Sequence, residues 1–122
     1  MSEPSPQTLP LPNLLDRHAA GARRALIIRS GPYELVRDII RMLREHLPQA
    51  ELIQYCHAGE ELEECRNLIY PQAGYFRLKN ADTQLLRRQN PDLVLIPYAA
   101  NRRLHPEYHE VDMIAAATGA RA

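Results

Sequence analysis

The sequence predicts an α/β domain: a small, Rossmann-like parallel sheet of about four strands in the order 3-2-1-4, flanked by helices. Three observations carry that expectation. Short apolar runs alternate with helix-periodic stretches, the pattern of βαβ units. The first run leads through a glycine turn into an amphipathic segment. The last run, Leu93-Val-Leu-Ile96, is the most apolar in the chain and lacks polar alternation, which suits a central strand covered on both faces.

Each element follows in order. Residues 1–22 form a proline-rich leader, with prolines at 4, 6, 10 and 12 and a short helical piece around Leu14 to Ala20. Residues 23–122 are then one domain. Ala25-Leu-Ile-Ile-Arg29 is a strand. Gly31 permits a tight turn, and Pro32 suits the first helical position. From Tyr33 to His46, Leu35, Val36, Ile39, Ile40, Met42 and Leu43 recur at helical spacing, with Leu47 just beyond. Glu34, Arg37, Asp38 and Arg41 take the wet face, where Glu34–Arg37 and Asp38–Arg41 are spaced to pair. Pro48 ends the helix. Glu51 to Tyr55 is a second strand. Glu60, Glu61, Glu63 and Glu64 open a helix through Leu68, acids offsetting its positive end. Gly74 to Leu78 is a third strand, and Ala81 to Gln89 a short helix. Asn90-Pro91-Asp92 turns into the fourth strand, and Val111 to Thr118 is a last helix stopped by Gly119. The alternation implies parallel strands joined by right-handed crossovers. A flavodoxin-like 2-1-3-4 order is the alternative.

Composition bounds the function. The 122 residues suffice for one core, and 45% of them are hydrophobic. Fifteen basic residues balance fifteen acidic ones, which argues against a nucleic-acid or membrane-surface binder, since both need a positive field. Lys79 is the only lysine. Genomic base composition accounts for that bias, although guanidinium forks also suit carboxylates and phosphates. Cys56, at a strand end, and Cys65, in the following helix, make neither a disulfide framework nor a zinc site. No run is long enough to span a membrane, and no basic segment opens a signal peptide, so the cytoplasm is the expected compartment.

In open parallel sheets, ligands bind beyond the carboxyl ends of the strands where the order reverses. For 3-2-1-4 that crevice lies between strands one and four. The first loop there offers Ser30, Gly31 and Tyr33, and leads into a helix N-terminus that favours an anion. The second runs from Tyr98 to Tyr108 and offers Tyr98, Asn101, Arg102, Arg103 and His105. Arginines for charge, with Asn and Tyr for hydroxyls, suit an anionic or sugar-like ligand. His105 and His109 are four apart, but Pro106 and the place of the acid break the H-E-x-x-H pattern, so no metal is expected. Neither G-x-G-x-x-G nor a Walker lysine is present, and no cofactor is expected. No G-x-S-x-G elbow occurs.

Three stretches together carry a resemblance. They are Ala25-Leu-Ile-Ile-Arg29-Ser30-Gly31 leading to Leu47-Pro48-Gln-Ala-Glu51, then Leu85-Leu-Arg-Arg-Gln-Asn-Pro-Asp92-Leu-Val-Leu-Ile96, then Ala115-Ala-Ala-Thr-Gly119. Over residues 24–121 the chain resembles the N-terminal, acceptor-side lobe of bacterial ADP-heptose:lipopolysaccharide heptosyltransferases, a single lobe of a GT-B glycosyltransferase. The resemblance implies a cytoplasmic role in lipopolysaccharide biosynthesis and a sugar or phosphosugar ligand. In that family the first loop carries a Gly-Asp pair, whose aspartate is proposed to deprotonate the acceptor. Here the matching stretch is Gly31-Pro32-Tyr33-Glu34, and the resemblance reaches Glu34 as the base only across a gap. A first-turn acid is more simply a helix-end charge. The family's donor site lies in a second lobe, and transfer needs both. The expected function is therefore a binding module for a glycan, phosphosugar or protein, not catalytic alone; were it active, it would transfer a hexosyl or heptosyl group. The alternatives are half of a split heptosyltransferase-like enzyme, with the donor lobe on a partner chain, and an unrelated small nucleotide-binding domain. A homo-oligomer is compatible with any of these.

Overall fold

The computed structural model describes residues 22–97 and 106–120. The leader, with its expected helix at Leu14 to Ala20, lies outside them. The described chain forms β1 (Arg24–Ile28), α1 (Tyr33–His46), β2 (Glu51–Cys56), β3 (Arg66–Ile69), a 3-10 turn (Leu78–Asn80), α2 (Thr83–Arg88), β4 (Leu93–Leu95) and α3 (Pro106–Ala117). The four strands make one sheet in the order β3-β2-β1-β4, and every pairing is parallel. Register is fixed by burial: Ala25 lies beside Leu52 and Leu93, and Leu26 beside Ile53 and Val94. A slip by one residue would exchange the sheet's two faces.

Strand alternation divides the core in two. On one face Ala25, Ile27, Leu52 and Leu93 pack under Val36, Ile40 and Leu43 of α1. On the other, Leu26, Ile28, Ile53 and Tyr55 meet Leu86 of α2, Val111 and Ile114 of α3, and Tyr70 and Phe76. Because α1 follows β1 on one face and α3 follows β4 on the other, the order reverses between β1 and β4.

Several expectations are corrected. No helix spans residues 60–68; the chain turns there and becomes β3 at Arg66. The Asn67 side chain explains it. Its amide donates to the Leu62 and Cys65 carbonyls (2.9 and 3.0 Å), and its oxygen accepts from Leu62 N (3.1 Å). Such side chain–backbone bonds compete with a helical ladder. Cys65 accordingly sits in a turn. Residues 74–78 are not a strand: Gly74 has φ +88°, and the segment bends so that Phe76 enters the aromatic core. β4 lies at the end of the sheet, as the expected order 3-2-1-4 has it, and not in the centre that its apolar run suggested. Its apolar run reflects cover on both faces, Leu93 and Leu95 to one and Val94 and Ile96 to the other, and such cover does not require two strand neighbours. Finally, Pro32 caps α1 in an extended conformation (φ −70°, ψ 160°) rather than opening its first turn, and Arg37 meets Asp38 (3.8 Å) rather than Glu34. The Asp38–Arg41 contact forms, at 3.9 Å.

Candidate functional site

All four strands deliver their carboxyl ends to one edge of the sheet. β1 delivers Arg29, Ser30 and Gly31; β2 delivers His57; β3 delivers Tyr70; β4 delivers Pro97. The first loop reaches the end of β4, while the second loop expected to meet it there begins at Tyr98, outside the described residues. Ser30 Oγ donates to the Pro97 carbonyl (3.3 Å), and a Cβ on Gly31 would stand 2.7 Å from that same oxygen. Gly31 is thus required by close approach of two backbones.

Tyr33, the first residue of α1, is 43% exposed, with the Arg29 and Arg37 guanidinium carbons 5.8 and 5.9 Å from its ring centre. Cations at that range are attracted by the ring's negative face. Glu34 is exposed in the first turn of α1, the helix end its charge suits. Tyr98, Asn101, Arg102, Arg103 and His105 lie outside the described residues, and the side chains of Tyr108 and His109 are not described either.

A polar group that the sequence did not single out lies between the ends of β1 and β2. Its centre is the loop at Glu60. The Glu60 carbonyl accepts from Arg29 Nη1 (3.0 Å) and from Gln54 Nε2 (3.2 Å). Gln54 is fully buried in β2 and also donates to Asn67 Oδ1 (2.9 Å). The Glu60 carboxylate accepts from the backbone N–H of His57 (3.1 Å) and stands 3.5 Å from His57 Nδ1 and 3.8 Å from Arg29 Nε. His57 Nε2 lies 2.6 Å from the Gly74 carbonyl. A carbonyl can only accept, so that nitrogen carries the proton. The ring packs edge-on against Tyr70 (5.3 Å) and, tilted, against Phe76 (4.8 Å). A signal for this group does exist in the sequence: Gln54 interrupts the apolar run Leu52-Ile-Gln-Tyr-Cys56, and a strand covered on both faces must pair any polar side chain it buries.

The chemistry of this edge is polar and planar: a guanidinium, two amides, an imidazole and a carboxylate. Among the described residues, no three His, Cys, Asp or Glu side chains are grouped to hold a metal ion. The thiols are poor nucleophiles. Burial, assisted by Glu60 and Glu61, pushes Cys56 up to about 11, and burial with Glu64 does the same to Cys65. Burial also raises Tyr55, against the hydrogen bond its hydroxyl accepts from Asp82 N (3.2 Å).

No family model, curated protein or solved structure matches the chain. The functional reading therefore rests on the edge itself. No described helix is long and apolar enough to cross a membrane.

Proposed function

We propose that this lobe binds a sugar or phosphosugar at the carboxyl edge of its sheet and, taken by itself, holds that ligand without transferring it. One observation carries the reading: the polar group around Glu60 lies at the edge where parallel sheets bind ligands. Its members suit hydroxyls, which both give and accept hydrogen bonds, better than they suit a bare anion, because the Glu60 carboxylate stands in their midst. The 3-2-1-4 order agrees with the resemblance to an acceptor-side glycosyltransferase lobe. The lipopolysaccharide setting rests on that resemblance alone. Transfer requires a donor held against the acceptor, since positioning supplies much of the rate.

The test is a melting-temperature screen with D-mannose, D-glucose 6-phosphate and nucleotide sugars, beside a transfer assay with the same donors. A bound ligand stabilises the folded state by mass action. Stabilisation by the sugars without transfer is the expected result. Sugar transfer by the protein alone would overturn the binding-module reading. Stabilisation by nucleotides alone would move the protein to the nucleotide-binding class.

A further inference from the structure

Two buried atoms in the Glu60 group are left without a hydrogen-bond partner. One is Gln54 Oε1; the other is Arg29 Nε. Gln54 is fully buried, and the Arg29 side chain is 11% exposed. Arg29 Nη1 and Gln54 Nε2 both donate to the same Glu60 carbonyl. The Glu60 carboxylate, at 3.8 Å from Arg29 Nε, is beyond hydrogen-bond distance. By strand alternation both side chains belong to the face covered by α1, whose N-terminus has no side-chain cap. Native proteins rarely leave buried polar atoms unmet.

The two unmet atoms differ in kind. Arg29 Nε can only donate, and the amide oxygen of Gln54 can only accept. A hydroxyl accepts from the first and donates to the second, which neither a carboxylate nor an ammonium group can do. The exposed Tyr33 ring stands over the same guanidinium at 5.8 Å, an apolar plate of the kind that receives the face of a pyranose.

We propose that Arg29 and Gln54 form a subsite for one hydroxyl of a sugar, with Tyr33 stacked against the sugar ring. This rests on the sugar-binding reading above and deepens it, naming the atoms at the ends of β1 and β2 that would hold the ligand. The Glu60 side chain, 37% exposed, is the outer wall of the subsite. It turns aside as the sugar enters and accepts from a neighbouring hydroxyl. Gly59, at φ +93°, lies at the turn beside it.

The experiment is calorimetric titration of D-mannose and D-glucose 6-phosphate into wild type, Arg29→Lys, Gln54→Leu and Tyr33→Ala, with a thermal melt of each. Lysine keeps the charge but lacks the Nε–H. Leucine removes the acceptor. Tyr33 is exposed, so its variant tests stacking without disturbing the core. At least tenfold weaker sugar binding is expected for Arg29→Lys and Gln54→Leu, and several-fold weaker binding for Tyr33→Ala with an unchanged melt. Should Gln54→Leu fail to fold, Arg29→Lys and Tyr33→Ala decide. Sugar binding that is equal in all folded variants would overturn this subsite and leave the sugar-binding reading standing. No binding by wild type would overturn both. A crystal structure grown with saturating sugar that shows only a water between the two atoms would also overturn the subsite.

Discussion

Gly31 shows how one missing side chain holds the sheet's edge together. Its Cβ position faces the backbone oxygen of Pro97 at 2.7 Å, and that oxygen belongs to a main chain that cannot rotate away. Gly31→Ala is expected to destabilise by about 1–3 kcal/mol, the usual range for overpacking, measured by urea unfolding; an unchanged midpoint would mean that the two loops part freely. The cysteines make a second prediction at this scale. Each thiol rises from an ordinary 9.0 to about 11, chiefly through burial. Between those values the unfolded chain loses a proton that the folded chain keeps. Stability from both thiols is thus full below pH 9, falls as pH rises from 9 to 11, and falls no further above that. Serine or alanine in place of each thiol should flatten that alkaline slope in denaturant titrations. Native protein at pH 8 should resist a thiol reagent until it is unfolded.

Among the elements, the buried face of α1 was legible because its signal is local: Val36, Ile40 and Leu43 recur on one face and are the residues buried. The stretch from Glu60 to Leu78 was not, because its conformation answers to partners far along the chain. Asn67 is needed where it is by the buried amide of Gln54, thirteen positions earlier (2.9 Å). Phe76 is drawn in by Tyr55 and Tyr70, whose rings lie 5.7 and 4.8 Å away. A run of glutamates reads as a helix start only when nothing else claims the backbone, and here the Glu60 carbonyl is claimed twice. The candidate site was legible to the same extent. The convergence of the Ser30 loop on the end of β4 follows from topology, whereas the Glu60 group depends on a loop that local pattern assigned to a helix. The short α2 makes the testable case for local chemistry. Asp82 caps it by accepting from Leu85 N at 3.0 Å. Asp82→Ala should cost about 1 kcal/mol, as lost N-caps do, and loss of less than a few tenths in chemical denaturation would show that tertiary packing alone sets this helix start.

At the scale of the whole molecule, β1 is the member on which both halves of the core depend. It pairs with β2 on one side and β4 on the other, and its alternate residues feed opposite faces. Ile27 points to the α1 side, and Leu26 to the side of α2 and α3; both are fully buried. That the strands would be parallel, and in this order, could be anticipated because the apolar runs were short and alternated with helix-periodic stretches, the first and last leading into helices. The apolar run of β4 by itself does not report that end position, since two-faced burial leaves the same mark on an edge strand as on a central one. A single sheet shared by two apolar layers should unfold as one unit, with neither layer persisting without the other. Leu26→Ala and Ile27→Ala therefore make a matched pair. Each removes a large buried side chain and is expected to cost about 2–5 kcal/mol, a large share of the stability of a small domain. Because one variant opens the α1 layer and the other the α2–α3 layer, a shared fate is a demanding result. Both should shift one and the same transition, followed by far-ultraviolet circular dichroism and by tyrosine fluorescence, with coincident midpoints in each variant. Tyr55 and Tyr70 report from the α2–α3 layer. If Ile27→Ala lowered the circular dichroism midpoint while the tyrosine signal kept its wild-type midpoint, the two layers would be separate folding units and β1 would not couple them.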